Sequence, residues 1–112
     1  MAGDCSHMIR RTVPSTPSLL AAKVRVPQHV VYRSFPHETV VLNLETGKYH
    51  GLNATAGQML EVLERAASVR DAAAELAELY GQPQDVIEHD LCELCASLLE
   101  RGLVEADGAA PA

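Results

Sequence analysis

The spacing of apolar positions changes twice along this 112-residue chain, and each change marks a different kind of element. Residues 1–22 carry Pro14 and Pro17 among Ser and Thr with no sustained apolar period, which predicts an arm with no core-facing side. From Val24 onward the β-formers Val24, Val26, Val30, Val31 and Tyr32 gather, and Phe35-Pro36-His37-Glu38 interrupts them, placing a first strand around 28–33. Thr39–Leu44 predicts a second strand and Lys48–Leu52 a third, joined through Glu45-Thr46-Gly47. A two-residue Thr46-Gly47 turn and a three-residue loop pair different residues and place Tyr49 on opposite faces, so the pattern leaves the register open.

After Leu52 the period becomes helical. Ala56, Met59, Leu60, Leu63 and Ala67 recur at three- and four-residue steps, with Asn53 or Thr55 available as N-cap, so a first helix runs to about Ala67. Ser68 with Asp71 resembles a capping box opening a second helix, whose stripe Ala72, Ala73, Leu76, Leu79 and Tyr80 stops at Gly81. Asp85 with Glu88 repeats the box beyond Pro83 and opens a third helix, which ends at Gly102. Leu103-Val104 then closes the core or adds a short strand. The order predicts an α+β, winged helix-turn-helix-like domain: a three-stranded antiparallel sheet followed by three helices. We expect a flexible N-terminal arm over 1–23, the domain over 24–105, and a disordered tail over 106–112.

Composition narrows the function. One modest core suits this length, which excludes a second catalytic domain. Aromatic residues make up 4% of the chain and Trp is absent, so platforms for stacking bases are not expected. The net charge of −6 is segregated: residues 1–60 carry six Lys/Arg against three Asp/Glu, and residues 61–112 carry three against twelve. Such a surface repels phosphates and anionic lipid, so neither a nucleic acid nor a membrane is an expected partner. Three cysteines without an even, spread spacing point to the reducing cytoplasm. The run after Arg10-Arg11 is too short for an export signal.

The third helix holds the most chemical information. On a helical wheel its apolar residues cover roughly 160°, more than one core face needs. Ile87, Leu91, Leu94 and Leu98 are assigned to the core. Cys92, Cys95 and Leu99, bordered by Glu88, remain as a flank that either is buried like the rest or lines a groove. A three-stranded meander also has two unpaired edges, each a template for an added strand, and the third strand is poor in charge and contains Gly51. Cys92-Glu93-Leu94-Cys95 matches C-x-x-C, but zinc needs two further ligands and redox pairs of this type begin a helix, so plain thiols are the expected reading. Neither a nucleophile motif nor a phosphate loop nor H-E-x-x-H is present, so no enzyme activity and no cofactor or metal are expected. A winged-helix transcriptional regulator is the alternative, yet the third helix has no Lys or Arg before Arg101 to hold DNA.

The segment Val41-Leu42-Asn43-Leu44-Glu45-Thr46-Gly47-Lys48-Tyr49-His50-Gly51-Leu52-Asn53, followed by three helices ending in Leu98-Leu99-Glu100-Arg101-Gly102-Leu103-Val104, resembles the PqqD-like family over about residues 24–105. That family supplies the recognition element for ribosomally synthesised and post-translationally modified peptides (RiPPs). The resemblance implies a module that takes a precursor's leader peptide as an extra strand along the third strand and against the third helix. Carried onto this chain, Lys48, Tyr49, His50, Gly51 and Leu52 offer backbone, and Glu88, Cys92, Cys95 and Leu99 form the groove wall. The Pro-Glu dipeptide of dedicated pyrroloquinoline quinone chaperones is replaced by Glu45-Thr46. A free-standing protein of lasso-peptide type is more similar, and its usual companions are a cysteine-protease-like leader peptidase and an ATP-dependent macrolactam synthetase.

Overall fold

The computed structural model describes residues 16–107, with side chains from Leu19 onward. In chain order the elements are α1 (Thr16–Ala21), β1 (Lys23–Arg25), β2 (Val30–Ser34), β3 (Glu38–Asn43), β4 (Tyr49–Asn53), α2 (Ala54–Arg65), α3 (Val69–Tyr80), α4 (Gln84–Glu100) and β5 (Glu105–Asp107). Strands β2, β3 and β4 form an antiparallel sheet in that order, and α2, α3 and α4 follow it, as the apolar pattern predicts. Their shared core is aliphatic, built around Val41, Leu60, Leu63, Leu76, Leu91 and Leu98.

The helix boundaries have local causes. The Asn53 side chain accepts from Ala56 N–H and opens α2, and Ser68 Oγ accepts from Asp71 N–H and opens α3. The box expected at Asp85 is not formed: α4 begins two residues earlier, its N-cap is Pro83 with no side-chain cap, and Gln84 reaches Glu88 instead. Residues 82–86 are exposed, so water satisfies the free N–H groups of that first turn without a polar cap. Gly102 ends α4 at φ 72°, with Gly102 N–H donating to Leu99 O and Leu103 N–H to Leu98 O. This paired closure is a Schellman motif, and the positive φ selects glycine there.

Two parts of the expected domain limits change. Residues 16–22, expected within the arm, form a short helix whose Leu19 is buried, and Ala22 O accepts from Val69 N–H. Six helical residues are too few to display a period, so Leu19-Leu20 reads as a stray apolar pair. At the other end, the tail expected from 106 contributes Ala106 and Asp107 to β5, which pairs antiparallel with β1. Arg25 fastens that ribbon through Glu105 at 2.6 Å and through Asp107. Residues 1–15 and 108–112 lie outside the described residues.

Lys23 ties this small ribbon to the main body. Its ammonium donates to Ala66 O at 2.7 Å and to Glu64 O, where the free carbonyls at the end of α2 concentrate negative charge.

The tightest contact lies between α2 and the sheet. A β-carbon at the buried Gly57 would stand 2.0 Å from Thr39 Oγ1, so glycine is required for the helix to lie this close to β3. Gly57→Ala gains up to about 1 kcal/mol of helix propensity but forces an overlap costing about 1–3 kcal/mol or more. The expected outcome is a net loss of stability in urea unfolding, largely recovered in the Gly57→Ala/Thr39→Ala double variant.

Candidate functional site

The observed hairpin settles the register. Asn43 N–H donates to Lys48 O at 2.9 Å, and Asn43 Oδ1 accepts from Glu45 and Thr46 N–H within the intervening loop. The connection thus has four residues, Leu44 to Gly47, and neither shorter alternative considered from the sequence forms. Gly47 closes it at φ 75°. The pairs that result are Leu42 with Tyr49, Val41 with His50, Val40 with Gly51 and Thr39 with Leu52.

Alternation along an antiparallel ladder then fixes where each backbone group points. Since Asn43 and Lys48 are hydrogen-bonded partners, Val41–His50 and Thr39–Leu52 are too, while Leu42–Tyr49 and Val40–Gly51 are not. The other side of β3 agrees: Phe35 N–H donates to Glu38 O, and Leu44 N–H to His29 O. Along β4, therefore, Tyr49 and Gly51 turn their N–H and C=O outward. Lys48 O, His50 and Leu52 spend theirs on β3, so of the five residues expected to offer backbone only Tyr49 and Gly51 do.

Among the described residues no strand covers the outer edge of β4. The opposite edge, β2, is differently furnished. Tyr32 Oη donates to Glu64, Ser34 Oγ donates to Glu61 at 2.8 Å, and Val30 N–H is already taken by Pro27 O. Charged side chains beside a strand edge discourage further pairing, so the sheet has one blunted and one open edge.

Side chains alternate across β4. His50 and Leu52 point to the helical side with Val41 and Thr39, whereas Tyr49, 71% exposed, stands on the outer face with Val40 and Leu42. That outer face is concave and largely apolar: Val31, Tyr32, Phe35, Val40 and Leu42, with the cationic Arg33 among them, line a hollow of about 470 Å³.

On α4, where the groove wall is expected, burial separates the four residues. Cys95 is fully buried, so a ligand cannot touch it, and Leu94, assigned to the core, is the half-buried one. Cys92 and Leu99 keep 6% and 7% exposure and Glu88 is half-buried, leaving these three at the rim. The arc is wide because α4 packs on α3 and on α1, and α1 is the element the sequence pattern did not disclose. Broad packing of α4 does not extend to β4.

The thiols are poor nucleophiles. Burial pushes Cys95 from 9.0 up to about 12, and burial followed by the Glu88 carboxylate pushes Cys92 upward as well. Among the described residues neither thiol joins a group of three possible metal ligands; the group that exists is the exposed trio His89, Asp90 and Glu93. The scattered His29, His37 and His50 join no such group.

The same domain recurs among known proteins. Residues 38–104 match the family model of PqqD, coenzyme PQQ synthesis protein D. The chain belongs to the PqqD family. TbiB1 in complex with the TbiA(beta) leader peptide is similar, with TM-score 0.66 and 26% identity over 77% of this chain and 98% of that one. A lasso peptide synthetase B1 complexed with its leader peptide gives TM-score 0.67 and 27% identity over 75% and 99% of the two chains. The PqqD part of PqqCD from Methylobacterium extorquens, a stand-alone RiPP recognition element, shares the fold at TM-score 0.63 and 24% identity over 73% and 87%. Comparison with curated proteins finds no match. Among the described residues, no helix is long and apolar enough to cross a membrane.

The raised Cys95 value carries a signed consequence. Between pH 9 and about 12 the unfolded chain releases this proton while the folded one retains it, so stability falls as pH rises through that window. The slope attributable to Cys95 approaches about 1.4 kcal/mol per pH unit. Urea unfolding at pH 8 and pH 10 is expected to show a smaller alkaline loss in Cys95→Ala than in the parent.

Proposed function

We propose that this PqqD-family protein is a RiPP recognition element that binds a precursor's leader peptide as a fourth strand on β4 and presents it to processing enzymes. The observation that carries the reading is the outer edge of β4, which no strand among the described residues covers, in a domain whose longest helix has no Lys or Arg. Tyr49 and Gly51 offer two N–H and two C=O groups to an incoming strand, while Leu99, Cys92 and Glu88 border its other side. Side chains on one face of the bound strand meet that rim, and main-chain bonds supply sequence-tolerant affinity.

The site holds no cluster of reactive groups, and its two cysteines are buried neutral thiols, so the protein's role is to bind rather than to catalyse. Holding the leader raises the local concentration of the attached core peptide at a partner enzyme. A leader peptidase of the cysteine-protease type and an ATP-dependent macrolactam synthetase are the companions of the lasso-type reading. The largely apolar outer face beside Tyr49 is the surface left free for one of them. TbiB1 and the lasso peptide synthetase B1, each in complex with a leader peptide and each covered almost completely by this chain, support the reading.

DNA binding is disfavoured by α4 itself, whose residues Gln84–Glu100 include Asp85, Glu88, Asp90, Glu93 and Glu100 and no Lys or Arg. Approach to a phosphate backbone would bring like charges together.

Anisotropy titration with the labelled leader encoded beside this gene tests the reading. Saturable binding is expected in the micromolar range, and absence of binding at roughly 100 µM would sink it, since strand addition with one anchor should exceed that affinity. Position matters as well. Tyr49→Pro removes an outward N–H and should weaken binding about three- to tenfold while the fold persists; Tyr49→Ala should bind nearly normally. His50→Pro instead deletes a bond to β3, and circular dichroism is expected to show a destabilised domain.

A further inference from the structure

At the point where β4 hands over to α2, a second concavity opens that the strand-addition reading does not use. Thr55 and Met59 of α2, Tyr80 at the end of α3, and Val86, Ile87 and Asp90 of α4 enclose a cleft of about 260 Å³. Small-molecule sites usually occupy roughly 300–1,000 Å³, so this volume suits one side chain rather than a whole metabolite. Its walls differ in character. Met59 and Ile87 are buried and line it with apolar surface, Val86 is exposed beside them, and the exposed Asp90 lies one helical turn after Val86. Tyr80 is held in place by donation from its hydroxyl to Gln58 Oε1 at 2.6 Å, which fixes its ring as a wall.

Charge decides what fits. None of the lining residues is Lys or Arg. Ligand atoms of Asp90, Glu93 and His89 lie within 4.8 Å of one another, and His89 sits 3.5 Å from Glu93. Asp85, Glu88, Asp90 and Glu93 share α4 with no Lys or Arg, and among the described residues no Lys or Arg pairs with Asp90. The beginnings of α2 and α4 each add roughly half a positive charge near the cleft and the end of α3 roughly half a negative one. Their sum is smaller than the full charge of Asp90, which Glu93 beside it reinforces.

We propose that this cleft is a subsite for a single Lys or Arg side chain of the bound peptide. The inference rests on the peptide-binding reading and adds a requirement to it: the leader carries a basic residue positioned just beyond the segment paired with β4. The aliphatic stem lies along Met59, Val86 and Ile87, and the cationic head reaches the Tyr80 ring and the Asp90 carboxylate.

The test uses N-acetyl-arginine amide, a probe that needs no β4 edge, titrated into isotope-labelled protein and followed by amide and methyl NMR shifts. Saturable shifts are expected at Met59, Val86, Ile87 and Asp90, with N-acetyl-citrulline amide, the neutral near-isostere, binding up to about fivefold more weakly. Asp90→Asn, a change at an exposed position, should remove the difference between the two. Equal binding of N-acetyl-norleucine amide, shifts confined to other surfaces, or no saturation would overturn the proposal. Tyr49→Pro should leave the arginine-amide shifts intact, so a failed β4 edge and a failed cleft give different results.

Discussion

Gly57 lies so close to Thr39 that a single methyl group would collide with the hydroxyl, and this approach sets how far α2 stands from the sheet. The consequence spreads because α2 starts immediately after β4, with Asn53 serving both as the last strand residue and as the helix N-cap. No linker absorbs error between strand and helix. Fixing α2 against β3 therefore fixes the edge of β4, the helix start at Ala54, and the position of Met59 in the neighbouring cleft. A looser joint would leave the same residues present but their mutual geometry unspecified, and a strand-binding edge depends on geometry more than on side-chain identity.

The sheet's two edges show how one fold can be sticky on one side only. Both β2 and β4 expose every second residue's backbone groups, so geometry alone does not distinguish them. Side chains do. The hydroxyls of Tyr32 and Ser34 hold Glu64 and Glu61 beside β2, and burial together with those carboxylates raises the Tyr32 phenol well above its ordinary value, keeping it a neutral donor. Beside β4 the outward residues are Tyr49 and Gly51, and an added β-carbon at Gly51 would meet only Glu38 Oε1 at 3.7 Å. Glycine is thus not demanded there by the protein's own packing; its contribution is to leave the approach to the outward amide uncrowded.

Much of this arrangement could be read before any coordinates. Asn53, Ser68 and Gly102 are local signals whose hydrogen bonds form within a few residues, and the β-hairpin and three-helix order rest on periods that survive in any context. The failures have a common origin in contacts between distant parts of the chain. Helix α1 is too short to show a period, so its docking on α3 and α4, which widens the packed arc of α4, could not be read from the pattern. The register hinged on Asn43, whose side chain organises a longer loop than the Thr46-Gly47 pair suggests. Gly57 in mid-helix was a visible anomaly, since glycine weakens a helix, and it marked a close backbone approach that only Thr39, eighteen positions earlier, explains.

Helix α4 shows how a single element can carry both exclusion and selection. Its buried face, from Ile87 through Leu98, is ordinary core and says nothing about ligands. Its exposed face has carboxylates at nearly every turn and no cation to neutralise them, while the acids of α2, α3 and β5 are largely tied to hydroxyls or arginines. Unpaired like charges on one helix raise its self-repulsion, a cost that pairing with Lys or Arg at i,i+4 would have removed. A surface that retains such a field is unsuited to polyanions and favours segments bearing positive charge. Main-chain pairing on a strand edge accepts almost any sequence, so under the proposed reading discrimination among extended peptides falls to side-chain contacts, and the acidic face of α4 is the surface suited to supply them.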